Sequence, residues 1–184
     1  MKLFAAIFLP EKIAGDVARE QKGVSGARWV STEKLHITLA YFGEVDADHA
    51  ELLDKEIGKL RMGSFELSLE GGGHFGKTEP HSIWTGVTAS PGLERLNQHC
   101  RHAARRAEIQ MEARKYTPHV TMAYMKPRSR LDRIVSFEQR LADWSTRPFL
   151  VDQFSLVSSH KKKRGANLYR EEAAFPLLGE GVTP

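Results

Sequence analysis

One hexapeptide pattern occurs twice in this chain, and it limits the possible folds and chemistries more than any other feature. The first copy is His36-Ile37-Thr38-Leu39-Ala40-Tyr41, and the second is His119-Val120-Thr121-Met122-Ala123-Tyr124. The two copies agree in residue class at all six positions. A single His-x-Thr triplet would carry little weight, but a match of this length is hard to obtain by chance.

The pattern is typical of a strand with one polar and one apolar face. Because side chains alternate along a strand, residues two apart face the same way. One face of the first copy carries His36, Thr38 and Ala40, and the other carries Ile37, Leu39 and Tyr41. The aliphatic face suits a core, whereas the His/Thr face is costly to bury without partners and should meet water or a ligand. Two such strands that face each other would line a cleft, in which the small Ala40 leaves room for a substrate.

Two imidazoles and two hydroxyls in one cleft suit the transfer of a phosphoryl group. Imidazole titrates near neutral pH, so one histidine can take a proton from an attacking water while the other gives a proton to a leaving oxygen. The hydroxyls of Thr38 and Thr121 can donate hydrogen bonds to phosphate oxygens. A metal site would normally add carboxylates or cysteines to the histidines, and neither His/Thr face carries one. We therefore expect catalysis by His36 and His119 without a metal or another cofactor.

The composition is that of a soluble globular protein, with 41% apolar and 27% charged residues. The apolar run at residues 3–9 is short, ends at Pro10 and has no cleavage site after it. We therefore interpret it as a buried strand and not as a signal peptide. No apolar run is long enough to cross a membrane, and the single cysteine, Cys100, cannot form an internal disulfide. We expect a cytoplasmic protein that acts as a monomer.

The rest of the chain alternates strands with helices and contains no linker, so we expect residues 1–184 to form one domain. Periodicity predicts helices over residues 11–22, 46–60, 91–108 and, in part, 131–144. It predicts strands over residues 2–9, 28–30, 35–42, 65–69, 82–87, 119–125, 149–158 and 168–175. Gly71, Gly72 and Gly73 are expected to break the strand before them. Interleaved elements with hairpin-length gaps favour an α/β or α+β protein whose sheets are largely antiparallel.

Positive charge is concentrated in two places, although the net charge is only +4. One is the run Lys161-Lys162-Lys163-Arg164, and the other is the third predicted helix, which carries Arg101, Arg105 and Arg106 beside His99 and His102. A solvated surface explains either cluster alone equally well. Together they moderately favour a polyanionic partner such as RNA over a mononucleotide.

The residues as a whole resemble the two-histidine phosphoesterase superfamily, and within it the bacterial and archaeal RNA 2′,3′-cyclic phosphodiesterases, historically called 2′-5′ RNA ligases. The resemblance covers nearly the whole chain. Its segments are LFAAIFLP at residues 3–10, RWV at 28–30, LHITL at 35–39, FGEV at 42–45, GHF at 73–75, IWTGV at 83–87, YTPHVT at 116–121 and FPL at 175–177. Each segment is weak alone, but the paired histidine motifs are highly specific together.

This resemblance implies an α+β fold of two pseudo-symmetric lobes, each an antiparallel sheet backed by helices, with the active cleft between them. It implies metal-independent hydrolysis of RNA 2′,3′-cyclic phosphate ends to 2′-phosphates, with His36, Thr38, His119 and Thr121 in the matching catalytic positions. We assign His36 as proton donor and His119 as proton acceptor, although the nearly identical motifs leave the opposite assignment open. Many members have Lys where Ala40 stands and a basic residue where Tyr124 stands, so another cation is expected to contact the phosphate.

Further substrate contacts are expected from aromatic and basic side chains near the motifs. Candidates for stacking on a base are Phe75, Trp84, Phe42 and Tyr169, with Phe75 as the first choice because it follows a glycine run. For each of the four, a position in the core is the commoner role of an aromatic residue. Candidates for binding phosphate are Arg114, Lys126, Lys162 and Arg164. Three alternatives stay open: an RNA-binding module without catalysis, a phosphodiesterase for small cyclic nucleotides, and RNA ligation by the reverse reaction.

Overall fold

The computed structural model describes residues 1–113, 115–126, 129–162 and 167–178. Within these residues the chain forms four helices: α1 Glu11–Glu20, α2 Ala47–Ile57, α3 Pro91–Arg106 and α4 Leu131–Leu141. It also forms ten strands: β1 Lys2–Phe8, β2 Arg28–Trp29, β3 His36–Glu44, β4 Phe65–Leu67, β5 Leu69–Phe75, β6 Ser82–Val87, β7 His119–Tyr124, β8 Phe149–Val151, β9 Gln153–His160 and β10 Leu168–Pro176. None of the described helices is long and apolar enough to cross a membrane.

Most of the strands belong to one antiparallel sheet. Seven follow one another in the order β10-β9-β1-β3-β7-β6-β5, and the short β2 pairs with β7. Strands β4 and β8 pair only with each other. The two strands that begin with the motif histidines, β3 and β7, are therefore neighbours in the middle of the main sheet.

The chain is a structural repeat. The series β1, α1, β3, α2, β4, β5 is followed by the matching series β6, α3, β7, α4, β8, β9. Strand β9 pairs with β1, and β5 pairs with β6, so each half of the chain gives its last strand to the lobe of the other half. The predicted α+β fold of two similar lobes is confirmed, and the lobes meet where β3 contacts β7.

The two faces of the sheet have different roles. Leu3, Ala5 and Ile7 of β1 are buried in the main core, which also contains the apolar faces of the helices. The intervening Phe4 and Ala6 form a separate cluster on the opposite face, with Phe8 and Tyr169 packed beside it. The helices thus cover one face, and the other face is left to carry the histidines.

The helices follow the predicted ranges but end earlier. Helix α2 begins after Asp46, whose carboxylate accepts a hydrogen bond from the backbone N–H of His49 at 3.0 Å. Helix α3 begins after Ser90, whose hydroxyl accepts from the N–H of Leu93. These are ordinary N-caps, recognisable in sequence. The predicted ends at residues 22, 60 and 108 lie two or three residues too late, because frayed last turns leave little trace in a periodic pattern.

The prediction that Gly71, Gly72 and Gly73 break a strand is wrong. Strand β5 runs through all three glycines, with one irregularity in its pairing to β6 between Glu70 and Gly73. The glycines permit close approach: a Cβ on Gly73 would lie 2.4 Å from Cζ2 of Trp84. The missing side chain therefore makes room for an indole that packs across the strand.

Candidate active site

His36 and His119 lie on adjacent antiparallel strands at the junction of the lobes. The one residue pair that joins β3 to β7 is Ile37 with Val120. This register places Thr121 across from His36 and Thr38 across from His119. The motif side chains therefore form one cross-strand quartet of two histidines and two threonines. The expectation that the two strands face each other as opposite walls is wrong, since they lie side by side in one sheet.

Both imidazoles are held in the same way. Nδ1 of His36 lies 2.7 Å from the carbonyl oxygen of Lys34, and Nδ1 of His119 lies 2.8 Å from that of Thr117. A carbonyl only accepts, so Nδ1 must carry the proton and donate it. Nε2 is then the basic nitrogen of each neutral ring and the acidic N–H of each protonated ring. Each motif therefore presents the same nitrogen for chemistry.

The surroundings favour the neutral form of both histidines. Desolvation by burial lowers the pKa of His36, the carbonyl of Lys34 partly opposes this, and the charge of His119 lowers it further. Desolvation likewise lowers the pKa of His119, against the carbonyl of Thr117. The electrostatic effect of His119 on His36 means that the two protonation steps belong to the pair as a whole.

Aromatic rings cause much of this desolvation. The ring of His36 lies 5.3 Å from Phe4, 5.5 Å from Phe8 and 5.6 Å from Tyr169, measured between centroids. The ring of His119 meets the edge of Phe75 at 4.8 Å, and Trp84 lies beyond it at 6.2 Å. Of the stacking candidates from sequence, Tyr169 is thus placed against one histidine and Phe75 against the other.

A bulge in each motif strand changes which residues face the site. Along β1, Ala6 pairs with Thr38 but Ala5 pairs with Ala40, so Leu39 is an extra residue. Along β6, Trp84 pairs with Thr121 but Ile83 pairs with Ala123, so Met122 is an extra residue in β7. An extra residue reverses the alternation beyond it. Ala40 and Ala123 are consequently buried in the core. The prediction that Ala40 shares the face of His36 and Thr38 is wrong, although Ala40 still contributes to the lining of the cavity beside His119.

The same bulges bring two tyrosines to the histidine face. Tyr41 and Tyr124 are 54% and 42% exposed, although simple alternation predicts that Tyr41 lies in the core. Tyr41 pairs with Phe4, whose ring lies against His36. The predicted core position of Tyr41 is therefore wrong, and an exposed phenol flanks each end of the quartet.

Side chains donate to backbone carbonyls at and beside the bulges, and the carbonyl of Met122 also accepts from the backbone N–H of Val30 at 2.9 Å. Nδ2 of Asn97 donates to the carbonyl of Leu39 at 2.6 Å, and Nε2 of Gln21 donates to that of Met122 at 3.0 Å. The hydroxyl of Tyr116 donates to the carbonyl of Thr38 at 3.2 Å. Sequence reasoning missed these residues. A signal was available only for Asn97, a buried amide on the apolar face of an amphipathic helix.

A cavity of about 830 Å³ opens beside His119. Residues that line it include Thr38, Tyr41, Phe75, His81, Arg101 and His119. The aromatic groups offer stacking surfaces, and Arg101 and Lys115 add positive charge at its wall. His81 was not singled out by sequence; its ring stacks on Phe75 with an interplanar angle of 23°.

The basic candidates are less closely tied to this cavity. Lys126 and Lys162 are exposed and are not among the residues that line it. Arg114 and Arg164 lie outside the described residues. Phe42 is a core residue at 4% exposure. Nothing in the described part of the chain groups three or more His, Cys, Asp or Glu side chains as a metal site would need, and independence from metal stays a prediction.

A family model for the 2′-5′ RNA ligase superfamily matches residues 9–163. The chain belongs to this superfamily. The resemblance noted from the sequence is thereby confirmed. The region matched includes both histidine motifs and the central strands of both lobes.

Curated relatives in this superfamily carry one name. The RNA 2′,3′-cyclic phosphodiesterase of Archaeoglobus fulgidus is 34% identical over 100 residues, which are 52% of this chain and 57% of that protein. The one from Thermotoga maritima is 30% identical over 68% of this chain and 71% of its own length. A crystal structure of Escherichia coli LigT complexed with 3′-AMP superposes with a TM-score of 0.75 at 26% identity, and covers 96% of this chain and 97% of that one.

Proposed function

We propose that this protein hydrolyses RNA 2′,3′-cyclic phosphate ends to 2′-phosphates by metal-independent acid–base catalysis. The observation that carries the proposal is the quartet of His36, Thr38, His119 and Thr121. Both imidazoles are fixed through Nδ1 and free to act through Nε2. The activity named for its superfamily relatives requires these chemical groups, an acid and a base on one phosphate.

The reaction follows from the properties of these groups. Nε2 of neutral His119 accepts a proton from water, and the water oxygen forms a bond to phosphorus. Nε2 of protonated His36 donates its proton to the departing 3′ oxygen as the P–O3′ bond breaks. The product keeps the 2′-phosphate and gains a free 3′-hydroxyl. The hydroxyls of Thr38 and Thr121 donate to the non-bridging oxygens as negative charge grows there.

The cavity beside His119 suits the nucleoside that carries the cyclic phosphate. Phe75 and Tyr41 supply aromatic faces for a base, and such stacking tolerates any base identity. One amide hydrogen of Asn97 and the hydroxyl hydrogen of Tyr116 are donated to backbone carbonyls and are not offered to the base. Activity toward several RNA 3′ ends is therefore expected.

The decisive experiment is to incubate the protein with an RNA oligomer that ends in a 2′,3′-cyclic phosphate and, in parallel, with the four cyclic mononucleotides. Phosphorus NMR and chromatography against 2′- and 3′-phosphate standards identify the product. We expect the 2′-phosphate in every case. Intact cyclic ends would reject the proposal in favour of an RNA-binding module, and a 3′-phosphate product would reverse the bound orientation. Hydrolysis of mononucleotides alone would favour a small-nucleotide enzyme.

Ligation by the reverse reaction, and the monomeric state, stay predictions.

A further inference from the structure

The side of the quartet next to His36 carries a rim that the reaction itself does not use. The rim consists of Arg28, Lys34, Tyr124 and Tyr169. The guanidinium of Arg28 lies over the ring of Tyr124, 5.4 Å from its centroid. The ammonium of Lys34 lies over the ring of Tyr169 at 5.9 Å. Two cations are thus each paired with an aromatic ring at the mouth of the site.

The two tyrosines connect the rim to the catalytic histidine. The ring of Tyr169 meets the edge of His36 with 5.6 Å between centroids. Tyr124 lies beside Tyr169, and after desolvation it is a second cause that raises the pKa of the Tyr169 hydroxyl to about 12. That phenol therefore stays protonated at neutral pH. The rim begins at His36 and extends outward through the rings of Tyr169 and Tyr124.

The cations of the rim are available for a ligand. Neither Arg28 nor Lys34 makes an ion pair in the described part of the chain, and Lys34 donates only to the carbonyl of Asn167. The charge of Lys34 helps to lower the pKa of the exposed neighbour Glu33, whose carboxylate accepts a hydrogen bond from Ser31. The ring of Tyr124 is 42% exposed. Lys162, expected from sequence to bind substrate, is exposed just beyond the end of β9.

We propose that this rim binds the RNA strand on the 5′ side of the reacting end. Tyr124 stacks on a base, and Arg28 and Lys34 contact the phosphates that flank it. Interleaved aromatic and basic side chains are the general means of binding single-stranded RNA without reading its sequence. The inference rests on the proposed function for its substrate, with the terminal nucleoside in the cavity beside His119 and the rest of the strand on the opposite side.

The test compares an RNA oligomer with a mononucleotide. In R28Q/K34Q, binding of a 5′-labelled oligomer that ends in a 2′-phosphate should lose part of its salt dependence. The slope of log K against log salt should fall by about 1.4, since each phosphate contact to a single strand contributes about 0.7. The ratio of kcat/KM for cyclic-ended oligomer over cyclic mononucleotide should fall as well. The control K55Q/R95Q removes the same charge from helices on the covered face, and it should keep the slope.

Two substitutions of Tyr124 separate the contribution of its ring to RNA binding from that of its hydroxyl. Tyr124→Ala should weaken oligomer binding by about tenfold, the usual scale of one stacked base, and Tyr124→Phe should bind like the wild type. Equal losses for oligomer and mononucleotide in R28Q/K34Q would place these cations at the reacting phosphate and overturn the proposal. An unchanged slope would overturn it too. If the protein leaves cyclic ends intact but its binding of the oligomer still depends on the rim, the proposed function is rejected and the proposed role of the rim in RNA binding is supported.

Discussion

At the scale of single residues, the two histidines are equivalent in their fixed nitrogen and different in their surroundings. Both donate Nδ1–H to the carbonyl two residues earlier, so either could serve as acid or base through Nε2. Three rings surround His36, whereas His119 lies beside the open cavity. His119 is therefore the more open of the two imidazoles, and its role as the base stays a prediction.

Each histidine should be essential for turnover. His36→Ala and His119→Ala are each expected to lower kcat by about 10²-fold or more, the scale of acid–base catalysis. Steady-state rates on a cyclic mononucleotide measure the loss, and circular dichroism checks that the variants remain folded. Near wild-type turnover in either variant would contradict the paired mechanism.

The division of roles can be tested through the leaving atom. In a substrate with sulfur in place of the 3′ leaving oxygen, the sulfur departs as a thiolate and needs no proton from an acid. His36→Ala should recover most of its lost rate on this substrate, and His119→Ala should not. Recovery by the His119 variant instead would exchange acid and base and leave the pair intact.

The pH dependence follows from the direction of the pKa shifts. A base is lost as pH falls through its pKa, and an acid is lost as pH rises through its pKa. Both histidines have a pKa below the usual value of about 6.5. The bell-shaped profile of kcat/KM, which reports the free enzyme, should therefore have its maximum on the acidic side of pH 6.5. A maximum above pH 7 would contradict the desolvation of the pair.

At the scale of elements, the packing of Trp84 near His119 depends on a glycine, Gly73, in strand β5. Trp84 packs over Gly73, and its ring also lies near His119 and Phe75. The support that fixes a catalytic group often matters as much as the group itself. We therefore expect strand β5 to affect catalysis through packing, although no residue of β5 is part of the quartet.

Gly73→Ala tests this packing. The added Cβ would lie 2.4 Å from the Trp84 ring, so the indole or the strand must shift, and the indole lies 6.2 Å from His119. We expect kcat to fall by about tenfold or more, since small displacements of a catalytic group are costly. Gly72→Ala is the matched control: its Cβ would lie 2.8 Å from Cδ1 and 3.1 Å from Cβ of the buried Leu141, away from the histidines, so it should lower the melting temperature and largely spare kcat. Equal effects on kcat from both variants would show a general loss of strand order.

At the scale of the whole molecule, the active site exists only because two halves of the chain associate. Each half supplies one His/Thr strand, and the strands meet at one residue pair, Ile37 with Val120. The exchange of β5 and β9 between lobes holds this junction from both sides. Neither half alone contains a complete acid–base pair.

A site built from paired imidazoles and hydroxyls should work without a divalent ion. Activity is expected to persist in excess EDTA and after passage over a chelating resin, as followed by hydrolysis of a cyclic mononucleotide. Complete loss that zinc, manganese or magnesium restores would place the protein with metal-dependent phosphoesterases. Partial loss restored equally by monovalent salt would instead reflect ionic strength.

Much of this protein could be predicted from its residues because the relevant signals are local. Alternation within each hexapeptide predicts that His36 shares a face with Thr38 and His119 with Thr121, and the structure keeps both pairs. The N-terminal strand, the four helices and the superfamily were also accessible from local periodicity and from motifs. Capping residues such as Asp46 mark helix starts at short range.

Only the tertiary structure decided which other side chains reach the site. A bulge is defined by the pairing with a neighbouring strand. The strands that leave Leu39 and Met122 unpaired are β1 and β6, which are distant from them in sequence. The bulges exposed Tyr41 and Tyr124 and buried Ala40, against the simple alternation. The close contact of Gly73 with Trp84 and the placement of Arg28 over Tyr124 likewise depend on strand register. Register is a collective property of the packed sheet, because it is set by which faces are buried, and no local pattern specifies it.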